Sequence, residues 1–378
     1  MQKTILLSII VILLSCSEKE TKKVDTDKSV KPTKKESAFE DQKLIIEEID
    51  LPTDSLFLNS HYRGVQIKDG IGYISGSNSQ TPEVNLKTGS VYRFLHNGAI
   101  PNMEFRDIHR TNNSSLNMSI VKPSGLFTRC SDASRQSSIS PPDTIGFFTR
   151  YAHTDTLCFL DGMDFWNDSV GIVFGDPLDG YPFALKTNDG GTSWNRIAEE
   201  KLPKSLEVEA GFAASGTSIV CVGEGVGYIG LGGEQARIFK TTDYGDTWKA
   251  TNTNMLQGEA GMGIYSMSFK DELNGVAVGG NWENTTCGDS KIYTNDGGLT
   301  WQSGLGVQEY RSCVTYWKDG IYISTGTSGT DISYDDGAHW QMLDTLGFNS
   351  IAFMDNGQGI GVGNRGLIRK LNLQNIKR

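Results

Sequence analysis

Three arginines share a setting. Arg63, Arg106 and Arg311 each follow an aromatic residue, in Tyr62-Arg63-Gly64-Val65, Phe105-Arg106-Asp107-Ile108 and Tyr310-Arg311-Ser312-Cys313. Each four-residue run reads as a short β-strand. If the three runs occupy equal places in a repeating architecture, the guanidinium groups converge. Three planar forks of N–H donors suit a carboxylate, a phosphate or an acidic peptide segment. Asp107, Asp161, Asp164 and Asp176 fall in the same or neighbouring strand ends, so internal ion pairing along a channel is an equally open reading of these residues. A hydrolytic reading also exists, because a cluster of arginines can clamp the carboxylate of an acidic sugar.

What must position such side chains is a repeat. The pattern Ser/Thr-x-Asp-x-Gly-x-x-Trp occurs four times, with Asp189, Gly191 and Trp194, then Asp243, Gly245 and Trp248, then Asp296, Gly298 and Trp301, and finally Asp335, Gly337 and Trp340. Each copy sits between two strand-like runs, which makes it a hairpin turn. The Asp caps turn amides, the Gly takes positive φ, and the Trp packs between neighbouring sheets. A decayed copy, Asn85 to Tyr92, replaces Asp with Lys87 and Trp with Tyr92, and no copy is visible near Cys130.

Upstream of these turns runs a second recurring element, a glycine-edged strand. It appears as Gly70–Gly76, Val170–Gly175, Gly225–Gly230, Gly275–Gly280, Gly320–Ser324 and Gly359–Gly363, with Leu116–Val121 as a weaker copy. Each is preceded by another short strand, the three arginine runs among them, together with Asp161–Phe165, Ala210–Ala213, Ile264–Met267 and Phe348–Ile351. These preceding strands are expected to be innermost, around a central channel. The last unit lacks an outer strand, and Lys43–Ile49 is an orphan strand ahead of the first unit. Pairing the two closes a ring and removes an exposed sheet edge. The expected fold is therefore all-β, a seven-bladed β-propeller over residues 43–378, closed by its N-terminal strand.

The four turns resemble the Asp-box, or bacterial neuraminidase repeat, found in propeller blades. Residues 43–373 as a whole resemble the bacterial relatives of the photosystem II stability and assembly factor family. The likeness rests on the Arg-bearing inner strands, on Phe165-Trp166 with Gly171-Ile172 and Gly175-Asp176-Pro177, on Glu209–Gly216 and on Gly275–Asn281. It implies a non-catalytic scaffold that binds a protein, and the equal strand positions of the arginines make Arg63, Arg106, Asp107, Asp161 and Arg311 the expected contact site. Members are often labelled oxidoreductases, yet the sequence has no Gly-x-Gly-x-x-Gly opening a helix and no Cys-x-x-Cys. Sialidase-like hydrolysis or acidic-sugar binding is the alternative. Against hydrolysis, Glu309 and Tyr310 are adjacent in a strand and should face opposite ways, and the arginines are not followed by Ile-Pro.

Residues 1–16 read as a lipoprotein signal peptide. The apolar run Ile5–Leu14 is shorter than the about 20 residues needed to cross a bilayer, and Leu13-Leu14-Ser15-Cys16 resembles a lipobox with Cys16 as the lipidated residue. Residues 17–42 are rich in Lys, Glu, Asp, Ser and Thr, as a disordered tether is. At about 3.3 Å per residue such a tether reaches up to about 80 Å. The expectation is an exported bacterial lipoprotein, a monomer held on the periplasmic or cell-surface side of a membrane. Export permits disulfides, and Cys287 with Cys313 is the favoured pair, Cys130 with Cys158 a weaker one, and Cys221 a core residue. A net charge of −10 argues against nucleic acid as a partner. The five histidines show no metal-ligand spacing, and no cofactor or catalytic set is assigned.

Overall fold

Short strands separated by tight turns build every sheet. Three of the turns are Asp-Gly pairs, at 69–70, 179–180 and 319–320, with both residues at positive φ, the geometry that matches strand twist in two-residue hairpins. The computed structural model describes residues 42–92, 94–96, 103–111, 116–121, 124–129, 143–145, 147–153, 158–285 and 288–375. The signal peptide, Cys16 and the tether lie outside these, apart from Gln42.

Strand order defines a β-propeller. Among the described residues seven sheets of four or five strands succeed one another in chain order, and the innermost strands are Tyr62–Lys68, Phe105–Arg110, Leu160–Phe165, Ile219–Val222, Met262–Phe269, Cys313–Lys318 and Ser350–Phe353. Each packs on the next, and the last returns to the first. The last sheet takes its outermost strand from the N-terminus. Gln42–Glu47 pairs antiparallel with Ile368–Asn375, Leu44 opposite Leu373 and Ile46 opposite Leu371. A two-residue strand, Leu305–Gly306, adds in parallel to the outer edge of the sixth sheet. In the second sheet the outer strand Phe147–Ala152 follows Asp143–Ile145, which pairs in parallel with Phe94–His96.

The four Trp turns are nearly superposable in chemistry. Asp189 accepts from the Ser193 amide (2.9 Å), the Ser193 hydroxyl (2.6 Å) and the Thr187 hydroxyl (2.8 Å), while Thr187 Oγ1 accepts the Gly191 amide (2.9 Å). The same set recurs around Asp243 and Asp296, and around Asp335 with Nδ1 of His339 in place of the hydroxyl. Gly191, Gly245, Gly298 and Gly337 have φ between 77° and 89°. Trp194, Trp248 and Trp340 are buried between neighbouring sheets. In the decayed copy Asn85 does the capping, accepting the Lys87 and Thr88 amides.

Two expectations need correction. The stretch Ala210–Ala213 is not an inner strand, because Ile219–Val222 takes that place. Cys313 is a free thiol, buried among Ser350, Thr217 and the Ile351 carbonyl, so it is not bridged to Cys287, which lies outside the described residues. Cys130 lies outside them too. Cys158 is buried in the core between the second and third sheets, and Cys221 is half-buried in its inner strand.

Candidate functional site

Four inner strands begin with a β-bulge. Pairing with the second strand skips a residue between Tyr62 and Val65, Phe105 and Asp107, Leu160 and Gly162, and Ile264 and Ser266. The residues inserted there include Arg63, Arg106, Asp161 and Tyr265. A bulge re-aims a side chain that regular alternation would send elsewhere, and all four of these residues line one cavity of about 590 Å³. Room for three of the bulges comes from the glycine closing the facing strand. A Cβ on Gly175 would sit 1.9 Å from the Phe159 carbonyl oxygen, on Gly279 1.9 Å from that of Gly263, and on Gly76 2.8 Å from that of His61. The glycine-edged pattern in the sequence is thus tied to the placing of the site.

Arg63 and Arg106 face each other's charge. Among the described residues Arg63 makes no hydrogen bond or ion pair, and its Nε is buried without a partner. Burial lowers its pKa, as does the Arg106 charge, against smaller opposite effects of Glu104 and Tyr310. Arg106 is ion-paired to Glu104 and donates to the Ala213 carbonyl at 3.3 Å. Its pKa is also lowered by burial, with Glu104 and Asp161 opposing.

Asp161 is fully buried and neither carboxylate oxygen has a hydrogen-bond partner. Burial pushes its pKa well up, and Asp176 adds to that. Arg106 and the Ala213 amide pull the other way, although the amide does not reach hydrogen-bonding geometry. Asp176 is likewise raised by burial and accepts the Gly211 amide at 2.9 Å. The rest of the wall combines aromatic rings with the polar side chains of Ser312, Thr327, Asn349 and Asn364. Phe212 stacks on Tyr265 with centroids 3.9 Å apart, Tyr310 meets Tyr265 edge-on at 4.9 Å, and Phe159 and Trp282 also line the space. Trp282 is 58% exposed.

The other two expected contacts are elsewhere. Arg311 is fully buried outside the cavity and bonded to Asp331, Ser328, Glu309 and the Tyr310 carbonyl. The strand after it has its bulge near the far end, between Tyr316 and Lys318. Without a bulge at its entry, alternation turns Tyr310 to the cavity and Arg311 into the protein, the reverse of Tyr62 and Arg63. Asp107 sits one residue past its bulge and is buried, accepting the amides of Ile108 (2.7 Å) and of Met163 in the next sheet (2.7 Å). It ties two inner strands together and belongs to a second cavity of about 330 Å³.

Between the two cavities lies the segment 211–217. Residues 211–214 line the first and 215–217 the second. Gly216, at φ +81°, lies against Asp107, the Ser215 carbonyl accepts from Ser350 at 3.5 Å, and Thr217 Oγ1 meets Ser266 Oγ at 2.6 Å. Since these partners come from inner strands of three separate sheets, the segment crosses the axis and divides the channel. Of the residues expected at the contact site, Arg63, Arg106 and Asp161 line this cavity; Tyr310, weighed in the sequence only beside Glu309 for hydrolysis, lines it too, and Tyr265 was not expected there. The second position of each inner strand was the available signal for Tyr265.

No protein-family model matches the chain, and no curated protein matches it by sequence. Among solved structures it is similar to a streptogramin B lyase (TM-score 0.59, 12% identity, 88% of this chain and 98% of that one) and to the WD40 β-propeller domain of Doa1 (TM-score 0.58, 11% identity, 88% and 98%). YCF48 bound to D1 peptide aligns with a TM-score of 0.40 at 16% identity, over 82% of this chain and 99% of that one. The first two likenesses are those of a shared propeller fold. The third is too loose to carry an argument.

Proposed function

We propose that the chain is a non-catalytic, seven-bladed propeller scaffold that captures an acidic segment of a partner protein on the face holding Arg63 and Arg106. One observation carries this: among the described residues the Arg63 side chain has no hydrogen-bond or ion-pair partner, and it lies beside a second guanidinium in a cavity with several aromatic side chains on its wall. Arg63 and Arg106 are neighbouring half-buried cations of which only Arg106 is ion-paired, to Glu104, and an incoming anion offsets the cost of the other. The Asp-box reading of the turns and the likeness to photosystem II assembly factors in the inner strands agree with a binding role. In this reading the protein is exported, a monomer, and held to a membrane by acyl chains on Cys16. Dual acyl chains give stable anchoring where a single one does not.

Sialidase-like hydrolysis is the weaker reading. It needs three convergent arginines, and Arg311 is engaged with Asp331. The cavity volume suits a small acidic ligand as well as a peptide side chain, so an acidic sugar stays as the second reading. The deciding experiment is a pull-down from native membranes with the intact protein and with a folded Arg63→Ala, Arg106→Ala variant. Capture of one defined protein by the first and its loss by the second supports the scaffold. Equal capture by both removes these arginines from the interface. Detergent-phase partitioning that survives Cys16→Ser would exclude the lipid anchor.

A further inference from the structure

We propose that the cavity takes a carboxylate borne on a flat or apolar body, and that Asp161 in its acid form is the third donor to that carboxylate, so that binding strengthens as pH falls. This rests on the anion-binding reading above and goes further in naming the ligand's chemistry and the proton it uses.

The geometry starts with an orphan. Asp161 lines the cavity, is wholly buried, and among the described residues has no hydrogen-bond partner on either oxygen. A buried polar group without a partner costs about 1–3 kcal/mol, more if charged, so such a group in a cavity marks where something else bonds. The groups facing it are Arg106 and Arg63 from the first two sheets, Asp176 from the neighbouring strand, Glu104 beside Arg106, and the phenols of Tyr265 and Tyr310.

Charge decides its form. With Glu104, Asp161 and Asp176 all ionised, three carboxylates would outweigh two guanidinium groups and repel an anion. Burial disfavours the charged form of Asp161 and Asp176 alike. A neutral Asp161 balances the two guanidinium groups against Glu104 and Asp176, a neutral Asp176 as well leaves the cavity positive, and the protonated Asp161 turns an acceptor into an O–H donor. A ligand carboxylate then receives N–H groups from Arg63 and Arg106 and the O–H of Asp161. This fills the place of the third anchor that the sequence assigned to Arg311. The stacked Phe212 and Tyr265, with Tyr310 edge-on, offer a flat apolar wall for the body that carries the anion.

The probe is benzoate, with neutral benzamide as its isostere, titrated into the full chain by calorimetry from about pH 5.5 to about pH 8, where benzoate stays ionised. Benzoate should bind, benzamide should not, and benzoate affinity should fall as pH rises, approaching tenfold per unit above the pKa of Asp161. Asp161→Asn keeps a donor but loses that titration, so it should retain binding with a shallower profile than the wild type. Arg63→Ala with Arg106→Ala should abolish binding at every pH. The slope in the wild type can be read even if the Asn variant fails to fold. A pH-independent benzoate affinity, equal binding of benzamide, no benzoate binding, or an unchanged slope in Asp161→Asn each overturns the inference. If a flat profile is found while the two arginines still govern partner capture, only this inference falls and the anion-binding reading stands.

Discussion

Arg311 and Asp331 form a two-pronged ion pair, Nε to Oδ2 at 2.6 Å and Nη2 to Oδ1 at 2.9 Å, with both side chains fully buried. Lys291, also fully buried, reaches the same carboxylate at 3.2 Å, and its pKa is lowered to about 8, chiefly by burial. Removing one partner of such a pair strands the other charge, at about 3–5 kcal/mol. Arg311→Met should therefore cost about 3 kcal/mol in chemical denaturation. Arg63→Ala removes a desolvated charge that has no partner among the described residues, so it should cost nothing or stabilise. Equal losses at the two positions would mean that Arg63 is also structural. Lost binding on mutating Arg311, without a stability measurement, says nothing about a contact site.

His109 and Asp164 give a second prediction. His109 stacks on Phe165 at 4.5 Å, and its Nδ1 lies 3.6 Å from Asp164. Burial lowers the His109 pKa from 6.5 to about 4, with Lys68 adding and Asp168 opposing. Burial raises that of Asp164 from 3.8 to about 6, although it accepts the Cys221 and Phe165 amides. For His109 the unfolded chain binds more protons, so its contribution to stability is lost as pH falls from about 6.5 to about 4. For Asp164 the folded chain binds more protons, and stability is lost as pH rises from about 3.8 to about 6. The two slopes oppose in one window, each up to about 3 kcal/mol. Denaturation across that window should show Asp164→Asn gaining stability with rising pH relative to the wild type, and His109→Phe losing it. Parallel curves for all three proteins would show that neither shift exists.

The indole of Trp301 differs from its counterparts. Trp194, Trp248 and Trp340 donate Nε1–H to the glycine carbonyl of their own turn at 2.9–3.1 Å, whereas Trp301 Nε1 is buried without a partner. Trp248→Phe should then cost about 1 kcal/mol more than Trp301→Phe, by the net value of a hydrogen bond plus the desolvated carbonyl left behind. Thermal melts of the two variants check this, and a larger loss at Trp301 would contradict it.

Much of the architecture is legible because it rests on local chemistry. An Asp, a Gly and a Trp at fixed spacing specify a turn through bonds confined to about eight residues, and the glycine-edged strands declare themselves by composition. The site is less legible because it depends on phase. Tyr62-Arg63 and Tyr310-Arg311 are indistinguishable as letters, and only the bulge after Tyr62 sends one arginine to the cavity while alternation buries the other. A bulge is set by how two strands meet, which no single strand encodes. The misplacing of Ala210–Ala213 has a similar cause. Small apolar residues read as a strand, yet here they reach the axis because the fourth sheet's inner strand begins only at Ile219. Cys313 looked available for a bridge while its strand was placed by pattern alone. Packed against Ser350 and Thr217, it is a buried free thiol.

Ring closure by the N-terminal strand yields the last prediction. Gln42–Glu47 forms the outermost strand of the final sheet, and Leu44 is buried in a cluster with Trp317, Leu371 and Leu373. Ile46 packs on the same cluster. Burying a leucine side chain is worth about 1.5–3 kcal/mol, and truncating one in a core costs about 2–5 kcal/mol. Leu44→Ala should therefore lower stability by at least about 2 kcal/mol. Deletion through residue 48 should cost more, since it also strips the hydrogen bonds of Ile368–Asn375 and leaves an open apolar edge prone to self-association. Deletion through residue 39 spares the strand and should leave the melting temperature unchanged. Melting curves and light scattering on these three proteins separate the cases. If the longer deletion melted like the shorter one, the strand would not be what closes the ring.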